Sequence, residues 1–209
     1  MRSSGLQRYA PLTGVVFFAF LLASFIVGGD TPDVDDSTAD VVEFWADNDS
    51  ASIASAVLGA YAVVFYLWFA GSLRSAINVA EGAPGRLASI AFGGAIVYAT
   101  GGAIVSAFQL ALGDIAGDVP DEVVQTLSVI YADLFFPFAI GTAIVTMATG
   151  LASLRYGLLP RWLGWVSILI AVISVTPLGF VGFLAGVVWV IVVSVILFRR
   201  ETAVAAAAA

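Results

Sequence analysis

Apolar runs of about 18 or more residues recur along this chain, and a run of that length reads as a helix that crosses a membrane. Leu12–Gly28, Ser52–Leu73, Leu87–Leu112 and Leu127–Leu154 are the first four. The last stretch, Trp162–Phe198, is too long for one crossing. At about 1.5 Å per residue its roughly 37 residues reach about 55 Å, against a hydrocarbon core of about 30 Å. The sequence "TPLG", Thr176–Gly179, carries a turn signature that divides it into Trp162–Val175 and Phe180–Phe198. The expectation is an all-α fold: a polytopic membrane helix bundle of six transmembrane spans, one integral membrane domain over residues 1–209. Composition agrees, with 11% charged residues where a soluble domain carries about 25%.

Charge orients the spans. Arg2, Arg8, Arg74, Arg86, Arg155, Arg161, Arg199 and Arg200 all fall in segments of one parity, and the chain has no Lys. The opposite loops are acidic, with Asp30, Asp33, Asp35, Asp36, Asp40, Glu43, Asp47 and Asp49 in the first. Asp114, Asp118, Asp121 and Glu122 fill the second. By the positive-inside rule both termini are cytoplasmic, in a multipass protein of the cell (cytoplasmic) membrane. Arg2 and Arg8 ahead of Leu12–Val27 also suit a signal peptide. No small-x-small cleavage site precedes Asp30, so the first span is expected to be retained. Heavy use of Ala, Gly, Val and Asp, with Arg in place of Lys, points to a bacterial chain from a GC-rich genome.

Each acidic loop is expected to hold a short interfacial helix. Val41, Phe44 and Trp45 share one helical face, Ser37 suits its N-cap, and Trp45 would anchor that helix on the membrane surface. Asp118 and Pro120 mark the start of the second.

The third span carries small residues every four positions: Ala91, Ala95, Ala99, Ala103, Ala107 and Ala111. Small residues at this spacing let helix backbones approach closely in lipid. Ala95, Ala99 and Ala103 are therefore the expected helix-packing face, inside the bundle or against a second copy.

Chemistry is thin. The chain has no His and no Cys, which removes thiolate nucleophiles, imidazole bases and the usual zinc or haem ligands. No metal site, cofactor or catalytic residue is expected. Asp133 is the exception in an apolar setting. Ionisable groups inside membrane helices are functional candidates by default. Pro137 lies four residues on and would free the Asp133 carbonyl, because proline removes one helical donor and clashes with the carbonyl four residues earlier. Gln109 in the third span should lie at similar depth and donate to Asp133, with Tyr131 nearby. These four residues form a candidate polar intramembrane site, or a structural tie for a kinked helix. A second cluster, Arg155, Arg161, Trp162 and Trp165, suits a cytoplasmic turn in the interfacial belt and could contact anionic lipid headgroups.

"YLWFAGSLRSAINVAEGAPGRLASIAFGG" (Tyr66–Gly94) and "GLASLRYGLLPRWLGWVSILIAV" (Gly150–Val172) resemble a widespread group of uncharacterised actinobacterial multipass membrane proteins, a domain-of-unknown-function group with a Leu-Pro-Arg-Trp-Leu-Gly-Trp turn. The resemblance covers spans two to five and implies the same architecture. It brings no activity.

The functional expectation is a non-enzymatic accessory, sensory or assembly protein. Its partners are the lipid bilayer and either a second copy or another membrane protein. No nucleic acid is expected. The alternative is a small transporter or channel using the notch at Asp133. The six-span topology makes its own test. Single cysteines at Gly179 and Ala205 are expected to react with an impermeant thiol reagent from opposite sides, and reaction of both from one side overturns it.

Overall fold

The structure is a computed structural model that describes residues 7–207. Arg2 and the last alanines lie outside the described residues. After a 3₁₀ turn at Gln7–Leu12 the helices are α1 Thr13–Gly28, α2 Thr38–Asp47, α3 Asp49–Glu81 and α4 Arg86–Ile115. They continue with α5 Asp121–Asp133, α6 Phe136–Tyr156, α7 Arg161–Ser174 and α8 Gly179–Ala207. There are no strands among the described residues, so the all-α bundle holds.

The span count changes. Five segments are long and apolar enough to cross a membrane: Arg8–Gly28, Asp49–Glu81, Arg86–Ile115, Asp121–Tyr156 and Gly179–Ala203. The expected fifth span is α7, of 14 residues. At about 1.5 Å per residue it reaches only about 21 Å, short of a core of about 30 Å. The turn comes where "TPLG" predicts it. Thr176 Oγ1 donates to the Ile173 carbonyl at 2.7 Å and accepts from the Leu178 N–H at 3.2 Å.

The fourth span also changes. It is not one continuous helix over 127–154 but α5 and α6, parted at Leu134 and Phe135. Pro137 supplies the cause. It sits in the first turn of α6, where a missing N–H costs nothing, instead of kinking a helix interior. With 21 residues, α6 alone reaches about 31 Å and can cross by itself.

Consecutive long helices pack as neighbours: α1 on α3, α3 on α4, α4 on α6, α6 on α7 and α7 on α8. Helix α8 then returns to α1, where Gly14 lies against Ser194 and Val190. The arginines gather at this closed end. The Arg200 guanidinium donates to the Leu158 carbonyl, and the Tyr9 ring stacks on Phe198 at 5.8 Å. Glu81, the last residue of α3, accepts from the Leu87 and Ala88 N–H groups at 2.9 and 3.2 Å. It thereby satisfies donors at the start of α4, whose own N-cap, Gly85, has no side chain to offer.

At the opposite, acidic end α2 and α5 pack together as a cap. Ser37 caps α2 as expected, accepting from the Asp40 N–H at 3.3 Å. Trp45 is not a membrane anchor. It is 0% exposed, in a small core with Val41, Leu112 and Val124, and its Nε1 donates to Ser128 Oγ at 3.1 Å. An indole buried with its N–H satisfied ties α2 to α5 and has no face left for lipid.

Helices α4 and α6 come closest. A Cβ added at Gly141 would lie 2.6 Å from the Tyr98 backbone nitrogen, and one at Gly94 2.6 Å from Ile144 Cβ. Ala95 and Ala99 are buried, but Ala103 is exposed. Each four-residue step turns a helix about 40° beyond a full turn, so the three steps from Ala91 to Ala103 rotate the stripe by about 120°. Tyr98, Gly101 and Gly102 take over the inner face.

Gly141→Val should therefore cost about 1–3 kcal/mol by overpacking. The thermal midpoint in detergent should fall clearly, and that of Ala103→Val should stay close to wild type.

Candidate functional site

The α7–α8 hairpin turns back before it reaches the acidic cap. Helices α2 and α5 pack on α3, α4 and each other instead. Gly182, at the start of α8, lies against Ser174, and Gly186 lies against Thr142. Thr142 is six residues into α6 and Gly186 seven into α8, so α8 begins level with the start of α6, where Gly179 lies against Phe135. Beside the hairpin turn lies a chamber of about 590 Å³. Its walls are the second half of α1 with the loop to Asp33, the inner faces of α3 and α4, the α5–α6 break, and the turn Ser174–Phe180.

The floor is aromatic. Phe17, Tyr98, Phe138 and Phe183 line it, with Tyr98 at 4.9 Å from Phe138 and 6.4 Å from Phe183 between ring centroids. Tyr66 backs Tyr98 at 4.3 Å. Below lies a void of only about 10 Å³, lined by Tyr66, Tyr98, Thr142 and Thr146 among others. The Tyr98 hydroxyl is buried without a protein partner among the described residues.

One wall is polar. Ser24 Oγ of α1 donates to the Ser55 carbonyl of α3 at 2.9 Å, and Ser55 Oγ donates to the Ser24 carbonyl at 2.8 Å. This reciprocal clasp spends the Ser55 proton, so Ser55 Oγ accepts from Gln109 Nε2 at 3.0 Å. The network thus fixes the Gln109 amide with its nitrogen toward Ser55. Ser106 lines the same wall one turn before Gln109, and Gly28 and Gly59 leave room for the crossing side chains.

The expected notch does not assemble. Gln109 bonds Ser55 and not Asp133. Asp133 is exposed at the end of α5 and lies outside the chamber lining. Pro137 packs on Gly101, and Tyr131 stacks edge-on with Trp45 at 5.6 Å while one side lines the chamber. The helix break takes Asp133 out by swinging α5 into the cap, while Gln109 and Tyr131 still share the chamber lining. Arg155, Arg161, Trp162 and Trp165 stand exposed at the arginine end and do not line the chamber. Among the described residues no three His, Cys, Asp or Glu side chains converge as metal ligands.

Sequence reading missed Ser24, Ser55 and Ser106. The available signal was a hydroxyl in each of the first three spans on the acidic side of its midpoint. Ser106 and Gln109 also stand at i, i+3, which puts them on one helix face. No family model, curated protein or solved structure matches this chain.

A double-mutant cycle on thermal unfolding separates the two arrangements. Ser55→Ala and Gln109→Leu should each cost about 1–3 kcal/mol and couple strongly, because each strands the other's polar atom. Asp133→Asn should change stability by less than about 0.5 kcal/mol and show no coupling to Gln109→Leu.

Proposed function

We propose that this multipass protein is a non-enzymatic accessory or sensory component of the cell membrane that acts by binding, with the chamber as its receiving element. The arginine end and both termini face the cytoplasm in this reading, because the short α7 and α8 form a hairpin that leaves from and returns to that end, where Phe198 stacks on Tyr9, and the chamber faces outward. The observation that carries it is the chamber's asymmetry. It is roomy and part polar at the acidic end, and closed beneath by stacked aromatic rings and the tight contacts of Gly14, Gly94 and Gly141. A cavity of this volume suits a drug-sized ligand, and a blind cavity favours binding over passage. The side-chain inventory supports a non-enzymatic role, since the chain offers no His, Cys or Lys and the chamber lining brings only one carboxylate, Asp33. The bilayer is one partner. The output partner is a second copy or another membrane protein, as the resemblance to multipass proteins without assigned activity leaves open.

A small transporter is the second reading, favoured by the depth to which the chamber reaches, down to Tyr98. Such a protein would need the aromatic floor to part.

Reconstitution into liposomes under an imposed gradient discriminates them. Wild-type protein and Asp133→Asn are both expected to give no proton, sodium or potassium flux above empty vesicles. Flux in the wild type that Gln109→Leu abolishes would replace the binding reading with transport through the chamber.

A further inference from the structure

We infer that the chamber takes a neutral amphiphile from the bilayer: an apolar body with one uncharged hydroxyl or amide head, the head held by Ser106 and Gln109. This names the ligand class of the binding reading above and rests on it.

The apolar part follows from the walls. Phe17, Leu21, Phe135, Phe138 and Phe183 face a volume of about 590 Å³, and aromatic rings give an alkyl or ring body large contact areas at little entropic cost.

The neutrality of the head follows from charge. No Arg lines the chamber, and its single charged side chain is Asp33, at the rim. The surrounding loops are acidic. An anionic head would thus meet like charge and find no cation. A cationic head carried down to the polar wall would find serines and an amide but no carboxylate, and an unpaired charge there is far costlier than an unpaired dipole.

The donor character of the head follows from the bonding left over. Gln109 is 6% exposed. Its amide nitrogen is committed to Ser55, and its carbonyl oxygen accepts from no protein group among the described residues. The Ser106 hydroxyl is likewise without a protein partner there, although a helical serine has its own i−4 carbonyl within reach, as Ser89, Ser167 and Ser194 do. An acceptor and a hydroxyl three residues apart on one face match a head that donates one hydrogen bond and accepts another, as an alcohol or amide does.

The direction of approach follows from the rim. Phe25, Phe136 and Phe180 are 57%, 65% and 59% exposed and line the chamber edge. They stand on helix surfaces that lipid covers in a membrane protein, so the opening they flank admits molecules already dissolved among the acyl chains.

The test uses the full chain in phosphatidylcholine nanodiscs and three photoactivatable diazirine probes of equal chain length: a hexadecanol, the matching carboxylic acid and the matching alkane. Labelled peptides are mapped by mass spectrometry. The alcohol is expected to label chamber peptides about fivefold more than acid or alkane, the ratio one net hydrogen bond confers. Ser106→Ala breaks no protein hydrogen bond and should erase most of that advantage while leaving alkane labelling unchanged. Gln109→Leu should do the same wherever its melting curve shows a folded protein. Equal labelling by all three probes, or preference for the acid, would overturn the head-group inference and leave the chamber a binding site. Absence of chamber labelling by every probe in folded protein would overturn both readings. Water-soluble 1-hexanol separates the sources: failure to displace the bilayer-dissolved probe supports supply from the bilayer, and displacement at low concentration assigns the site to soluble alcohols and overturns it.

Discussion

Two helices in a bilayer gain little by hiding apolar surface from each other, since lipid tails are equally apolar. Close van der Waals contact has to hold them instead. In this chain that contact is the crossing of α4 and α6, where the Gly141 backbone lies directly on Tyr98 and Gly94 on Ile144 and Val145. Everything else hangs from it. Helix α6 also carries α7, through Gly150 against the Gly164 carbonyl, and meets α8 at Gly186. Helix α4 carries α3, which carries α1. A side chain at either crossing would push apart the pair that positions all the others.

The turn Ser174–Phe180 comes level with the α5–α6 break, where Gly179 lies against Phe135, and the chamber opens between these two interruptions and the inner faces of α1, α3 and α4. Polar groups on those helices then need partners, because an unpaired amide or hydroxyl away from water costs about 1–3 kcal/mol. Ser24, Ser55 and Gln109 satisfy one another across α1, α3 and α4. The clasp holds the chamber wall in place and leaves the far side of the amide free.

The two ends follow different physics. The α2–α5 cap stands at the polar end, where the hydrophobic effect operates, and it has a core of the soluble kind. Burying residues such as Val41, Leu112 and Val124 is worth about 1.5–3 kcal/mol each, and Trp45 adds a satisfied indole N–H. Reading Trp45 as a lipid anchor followed the usual habit of membrane tryptophans. Amphipathicity alone says that a face is covered, without saying whether lipid or protein covers it. The alanine stripe leaves the bundle interior at Ala103 for a related reason. A spacing of four drifts on a helix of 3.6 residues per turn, so a pattern regular in sequence spirals off the interface before Ala103.

Hydropathy and charge parity determined, from the sequence alone, that this chain is a membrane helix bundle with its arginines gathered at one end, and "TPLG" marked where one helix stops. Those properties are local: run length and a turn signature act within a few residues. Which polar groups meet was decided by tertiary structure. Gln109 finds its partner 54 positions away in Ser55, while Asp133, at an apparently matching depth, swings out with α5. Depth along a helix is readable from residue counts. Azimuth, and whether a proline kinks a helix or begins a new one, depend on what the neighbouring helices leave room for. The chamber is the sum of such outcomes: a hairpin turn, a helix break and a serine clasp, contributed by segments that share no local pattern.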